Sequence, residues 1–212
     1  MLRVNEIFHS IQGESTRAGE PCVFVRLTGC NLRCVWCDTA YAFHEGREMS
    51  VEEVLDRVAD YRCRVVEVTG GEPLLQPDVL PLLRALVGRD HEVLLETGGS
   101  LPIDEVPPGV RRIVDVKCPG SRESSRNRWE NLERLRQGDE LKFVLADRAD
   151  YDWATALIGS RGLAGRCALL FSPVHGVLDP GELARWMLED RSPARLQLQL
   201  HKLLWPGVTR GV

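Results

Sequence analysis

Three cysteines fall within eight residues, Cys30-Asn-Leu-Arg-Cys34-Val-Trp-Cys37. This C-x3-C-x2-C spacing offers three thiolates and no fourth nearby. A structural zinc site is closed by four ligands, usually drawn from two paired clusters. An iron–sulfur cubane held by three cysteines instead keeps one iron open for a non-protein ligand. Gly29, Asn31, Arg33 and Asp38 make the stretch polar and loop-like, unlike thiols that merely fill a core. Further along, Thr69-Gly70-Gly71-Glu72-Pro73 supplies paired glycines, which let a backbone approach a ligand without a Cβ clash.

Elements able to carry these groups alternate along the chain. Apolar, β-branched runs mark strands at Cys22–Leu27, Val65–Val68, Glu92–Leu95, Ile113–Val116, Leu141–Leu145, Ala168–Phe171 and Leu196–Leu200. Between them, Ser50 and Glu53 form a capping box ahead of an apolar face of Val51, Val54, Leu55 and Val58. A second helix spans about Asp78 to Val87 and stops at Gly88. Others are expected at Trp129–Arg136, Asp150–Ile158 and Gly181–Leu188, with Ser121–Arg128 as a mobile polar loop. Alternating strands and helices imply an α/β fold with a mainly parallel sheet. The polar groups stand where six of these strands end: Thr28-Gly29-Cys30, Thr69 to Pro73, Glu96-Thr97-Gly98-Gly99, Lys117, Ser172-Pro173 and His201-Lys202. Sites in parallel α/β sheets form beyond the carboxyl ends of the strands.

Composition sets the bounds. The chain has 212 residues, 43% hydrophobic and 27% charged, which suits one globular domain over residues 1–212. A net charge of −4 gives no bulk attraction for nucleic acid. No apolar run approaches the ~20 residues that span a bilayer, and the opening Met1-Leu-Arg-Val-Asn-Glu has no signal-peptide core. Seven cysteines, three of them clustered, argue against a disulfide framework and for a reducing cytoplasm. Cys22, Cys63, Cys118 and Cys167 lie in or beside apolar stretches and read as small buried hydrophobes.

The cysteine triplet, with Trp36 before its last member, together with Thr69 to Pro73, resembles the radical S-adenosylmethionine (SAM) superfamily. Two further stretches sharpen the resemblance to one family, the 7-carboxy-7-deazaguanine synthases of queuosine biosynthesis. They are Ser10-Ile11-Gln12-Gly13-Glu14-Ser15 and Gln197-Leu198-Gln199-Leu200-His201-Lys202, with Asp38-Thr39 after the last cysteine. The resemblance implies a truncated TIM-like barrel, since 212 residues are fewer than the ~250 of a full one. Exposed edges of such a barrel favour a homodimer. It implies a 4Fe–4S cluster on Cys30, Cys34 and Cys37, and Mg²⁺ on Thr39. It assigns SAM to Trp36, Cys37, Asp38, Gly71, Glu72, Asp115, Val116, Lys117, Ser172, Pro173, Val174 and His175. It assigns the substrate, 6-carboxy-5,6,7,8-tetrahydropterin, to Ile11, Gln12, Gly13, Glu14, Arg26, Thr69, Gln199 and His201. The Gln12 amide is expected to read the pterin edge and Arg26 to clamp the carboxylate.

The implied chemistry begins with one electron, from a donor such as flavodoxin, that cleaves SAM to a 5′-deoxyadenosyl radical. Hydrogen abstraction from the pterin, ring contraction and loss of ammonia then give 7-carboxy-7-deazaguanine, and SAM is regenerated. Two rivals differ in what they ask of the fold. A glycyl-radical activating enzyme needs an open groove for a protein partner, and a non-catalytic metal-binding module needs only a metal site.

Overall fold

β1 (Leu2–Ile11) precedes every run that apolar alternation picks out. Asn5, Glu6, His9 and Ser10 dilute its pattern, and a β-bulge between Val4 and Glu6 reverses which parity faces which side. Leu2 and Val4 therefore join the main core, whereas Phe8, four residues on, lies in a second cluster across the sheet. β1 pairs antiparallel with β2 (Pro21–Leu27) and, on its other side, with the short β3 (Arg47–Met49). The computed structural model describes residues 1–212.

After α1 (Val51–Ala59), whose Ser50–Glu53 capping box forms as expected, the strands run parallel. They are β4 (Val65–Gly70), β5 (Glu92–Thr97), β6 (Val110–Val116), β7 (Glu140–Leu145), β8 (Ala168–Pro173) and β9 (Arg195–Leu196). The order across the sheet is β3-β1-β2-β4-β5-β6-β7-β8-β9. β3 and β9 do not pair with each other, so the nine strands form an open, partial barrel. α2 (Val79–Gly88), α3 (Arg148–Ser160) and α4 (Pro180–Glu189) fall on the expected segments. A short α5 (Leu200–Leu204) ends the regular structure. No helix is long and apolar enough to cross a membrane.

Four expectations need correction. Leu196–Leu200 is not a strand: the ladder stops at Leu196 and α5 starts at Leu200. Trp129–Arg134 winds as a 3-10 helix rather than an α-helix. Gly88 stays inside α2, and Asp90 takes the left-handed turn (φ 62°) after it. Ser121–Arg128 is ordered by 3-10 turns and by Asn127, whose amide bonds both the N–H and the carbonyl of Lys117 at 2.9 and 2.8 Å.

The sheet has two differently built faces. Val23, Val25, Leu27, Val66, Val68, Leu95, Val114, Leu141 and Phe143 pack outward into the helix-covered core. Their neighbours point into the barrel. Near the amino ends, Cys22, Phe24, Val65, Leu94 and Ile113 join Phe8 in an apolar plug, with Phe8 and Phe24 stacked at 4.9 Å. Two residues further along the same strands the inward side chains become polar, at Arg26, Glu67, Glu96 and Asp115, and Thr69 on β4 and Lys142 on β7 join them. The strand period of two, offset by the stagger of the strands, thus lays a charged floor on an apolar base.

Candidate active site

A cavity of about 570 Å³ opens above that floor. Its wall is the cysteine loop, which leaves β2 at Thr28. Gly29 N–H donates to the Ala42 carbonyl (2.9 Å), and Glu72 N–H donates to the Gly29 carbonyl (2.7 Å). Here the paired glycines find their use. A Cβ on Gly71 would collide with the Gly29 carbonyl, and one on Gly70 with the Leu27 backbone. They let the end of β4 pass backbone to backbone against the cysteine loop. Outside, Arg33 N–H donates to Glu123 (2.7 Å), and the Arg33 guanidinium lies 4.3 Å above the Phe43 ring.

Cys30, Cys34 and Cys37 all line the cavity, together with Trp36, Asp38 and Thr39. Burial raises all three thiols, Cys34 to about 11, and the nearby Lys117 ammonium opposes the rise at each. Cys22 and Cys118 are buried apart from them, and Cys63 and Cys167 also lie outside the cavity. No three Cys, His, Asp or Glu side chains converge on one ion position. A mononuclear zinc centre needs that convergence, whereas a cubane binds each thiolate to a different iron and takes donors spread along one loop. The thiols fit the cluster. Asp115 adds a second indication: its Oδ2 accepts from Lys117 Nζ (2.6 Å), and its buried Oδ1 has no partner. Beside the cysteine loop, a buried acceptor without a donor suits a cofactor carrying amine or hydroxyl groups.

On the far side the two ends of the chain meet. Leu200 N–H donates to the Gly13 carbonyl (3.0 Å), and a Cβ on Gly13 would stand 2.5 Å from His201 Nδ1. Glu14 is the hub. It accepts from Gln197 (3.1 Å), Gln199 (2.9 Å) and Lys142. Lys142 also reaches Glu96 (2.8 Å), whose second oxygen accepts from Thr69 Oγ1 (3.1 Å). Burial lowers the His201 pKa against the opposing pull of Glu14 and Asp38, which favours neutral imidazole. The tail returns over the mouth of the cavity. Val208, Thr209 and Val212 line it, Arg210 pairs with Glu45 (2.8 Å), and Gly211 N–H donates to Glu6 (3.2 Å).

Most expected residues gather here: Ile11, Gln12, Gly13 and Glu14 from the N-terminal segment, Arg26 and Thr69 from the strands, and Gln199 and His201 from the C-terminal one. Gly71, Asp115, Lys117, Val174 and His175 line the cavity too. Two of these residues already have partners within the protein. The Gln12 amide is engaged by the protein, donating to Glu67 and accepting from Glu14 N–H (3.0 Å). Arg26 donates through Nε to Glu6 (2.8 Å) and stacks over Phe8, which leaves its Nη groups for the cavity.

Four residues do not reach the cavity. Glu72, fully buried, accepts from Thr97 Oγ1 (2.9 Å), Gly98 N–H (2.8 Å) and Leu74 N–H (3.0 Å), so it ties the loop after β4 to the end of β5. Val116 packs into the outer core, and Ser172 and Pro173 are buried in β8. Glu67 and Lys142 are the residues that strand-end reasoning missed, while Glu96 stood among the expected strand-end groups.

The Radical SAM superfamily model matches residues 24–116, the span from β2 through β6. A curated relative from Chlorobaculum tepidum, named 7-carboxy-7-deazaguanine synthase, is 50% identical over 214 residues, covering 100% of this chain and 97% of its own. The chain belongs to the 7-carboxy-7-deazaguanine synthase family. A relative of the same name from Koribacter versatilis is 45% identical with both chains fully covered. Among solved structures, QueE from Escherichia coli superposes with a TM-score of 0.77 at 24% identity over 93% of each chain. That likeness identifies the fold, and it agrees with the open radical SAM barrel seen here.

Proposed function

We infer that this chain is a radical SAM lyase that converts 6-carboxy-5,6,7,8-tetrahydropterin to 7-carboxy-7-deazaguanine with release of ammonia, in queuosine biosynthesis. The observation that carries the reading is the single cavity in which the cysteine loop faces the joined N- and C-terminal segments. Those two segments carry the family's specific sequence features, and relatives of that name match along the whole chain. The tail across the mouth favours a small substrate over the open groove that a protein partner would need.

A 4Fe–4S cluster on Cys30, Cys34 and Cys37, with SAM, supplies the hydrogen abstraction. Around it the chain's own residues bind and orient. Asp115 Oδ1 and the Gly71 backbone would accept from SAM, with Trp36, Asp38, Val174 and His175 lining the same cavity. Arg26 directs its Nη groups at the substrate carboxylate, with Nε anchored on Glu6 so that the fork is aimed in advance. Glu14, fixed by Gln197, Gln199 and Lys142, offers acceptor capacity to ring N–H groups, and neutral His201 closes that side. Ile11, the Gly13 backbone and Thr69 shape the slot between them. Glu72, Val116, Ser172 and Pro173 support this shell from behind.

Mg²⁺ at Thr39 is part of the proposal. Thr39 Oγ1 lies 2.9 Å from Asp38 Oδ1, and two hard oxygens with a substrate carboxylate and water suit magnesium. Lys202 already holds the other Asp38 oxygen at 2.7 Å, so the metal would be completed by substrate. A flavodoxin-like donor is favoured by the surface position of the loop, where Cys37 and Val35 are exposed. Exposed Leu196 on the edge strand β9, with Leu203 and Leu204 exposed on α5, favours a homodimer. Free thiols suit a reducing cytoplasm. The test is one anaerobic incubation of reconstituted protein with the carboxytetrahydropterin, SAM and reductant, read by mass spectrometry. Product with SAM conserved supports the reading; SAM cleavage with the pterin intact refutes it.

A further inference from the structure

At the cavity floor Glu14, Glu67 and Glu96 face the Lys142 ammonium, and beside them Asp115 pairs with Lys117, whose charge also bears on Glu96. Lys142 on β7 takes Glu14 from the loop after β1 and Glu96 from β5. Glu67 on β4 has neither cation nor second partner. It is 4% exposed, its Oε2 accepts from Gln12 Nε2, and nothing in the protein donates to its Oε1. The side chain lines the cavity, so Oε1 is the atom left to meet a ligand. The orientation of Gln12 is fixed independently: Glu14 N–H can only donate, so the amide oxygen faces it and the NH₂ faces Glu67.

The groups around Glu67 are Cys22 on β2, Gln12 and Glu14 after β1, Glu96 on β5 and Lys142 on β7. Ionised, Glu67 would put a third negative charge where one positive charge is already shared by two. Burial first, then Glu96 and Glu14, push its carboxyl well above the usual range. Burial also raises Glu96, but Lys142 overrides it and keeps that carboxyl low. The pair is divided, one ionised and one not.

We propose that Glu67 is a specificity residue held as the neutral acid, with Gln12 fixing Oε2 as the acceptor and the proton on Oε1 donated to an acceptor atom of the bound heterocycle. A ring carbonyl oxygen or an unprotonated ring nitrogen of a fused pyrimidinone is the matching chemistry. A floor of carboxylates alone could only accept; one neutral acid adds a donor, and the pattern then discriminates a pyrimidinone from a ring offering N–H groups only. The inference rests on the pterin reading of this cavity.

Glu67→Gln keeps a donor in place, amide oxygen toward Gln12 and NH₂ into the cavity, and cannot titrate. Glu67→Leu removes the donor. In cluster-loaded, substrate-free protein, infrared difference spectra of the unaltered chain against E67Q should show a protonated carboxylic acid at neutral pH that is lost only on alkalinisation. With the pterin, E67Q should keep kcat/KM within about threefold, while E67L should lose roughly ten- to a hundredfold. The alkaline fall in kcat/KM of the unaltered enzyme should be absent in E67Q. An ionised Glu67 at neutral pH, an E67Q as impaired as E67L with full cluster content, or an unchanged alkaline limb in E67Q would each overturn the proposal. If the unaltered enzyme leaves the pterin untouched, it is the functional reading that fails, and the infrared arm still decides the state of Glu67.

Discussion

Replacing Lys142 with Met removes a charge and little volume, so its effect isolates the electrostatics of the floor. The side chain is 7% exposed and serves Glu14 and Glu96 together. Breaking a buried ion pair from one side costs about 3–5 kcal/mol, because the remaining carboxylates stay behind without compensation. In a chain of this size that corresponds to a Tm lower by about 6–20 °C. The pH dependence has a definite sign. In the unaltered protein Lys142 holds the Glu96 carboxyl below its ordinary value, so this group contributes stability above the unfolded pKa and loses it as acid protonates the folded form. In K142M burial is opposed only by Lys117 and the Thr69 hydrogen bond, so the Glu96 carboxyl rises from its position in the unaltered protein. The penalty is then full at neutral pH and narrows as acid protonates Glu96, first in K142M and, below the ordinary carboxylate range, in the unaltered protein too. Thermal unfolding of cluster-loaded protein, followed by circular dichroism at neutral and mildly acidic pH, measures both features. A Tm unchanged at neutral pH, or a gap that does not narrow on acidification, refutes the charge accounting.

Three further outcomes are expected from the same geometry. Cys30→Ala, Cys34→Ala and Cys37→Ala should each lose the cluster absorption after anaerobic reconstitution, whereas Cys118→Ala, whose thiol is 1% exposed in the outer core, should keep it; a full cluster in any of the first three refutes the ligand assignment. Arg26→Lys should raise the pterin KM roughly ten- to a hundredfold with SAM affinity unchanged, since lysine cannot hold Glu6 and a carboxylate as one planar fork. Glu6→Gln should raise that KM by less, and equal pterin KM values for R26K and the unaltered enzyme refute the clamp. Thr39→Ala should abolish any stimulation by Mg²⁺ while slow SAM cleavage persists, and activity indifferent to chelation in the unaltered enzyme refutes the metal.

What the sequence made legible follows from where information is local. The cysteine loop and the segment from Thr69 to Pro73 break the strand pattern with glycine and polar residues, so their place at carboxyl ends is visible without coordinates. The capping box of α1 is local in the same way. β1 is not: its bulge switches the inward parity after Val4, and no single period describes it. The repeat Leu196-Gln-Leu-Gln-Leu200 misleads in the opposite sense. It alternates as a strand should, yet Gln197 and Gln199 are drawn to Glu14, and the chain leaves the ladder after Leu196 to join the N-terminal loop.

The floor of the cavity lies between these cases. Glu67 sits inside Val65-Val-Glu-Val68 and Lys142 inside Leu141-Lys-Phe143, runs that read as buried strand on apolar content alone. A charged side chain in such a run must be paired or functional, because an isolated buried charge is too costly to keep. Strand parity would have carried the inference further. Glu67 shares its face with Thr69, and its lateral partner on β2 is Phe24, two residues before Arg26. Lys142 pairs in register with Asp115. Only the sheet order, which follows from three-dimensional pairing, shows that these residues line one cavity. Asp115 pairs with Lys117, and Glu14 and Glu96 share Lys142, which leaves Glu67 as the acid without a counter-ion.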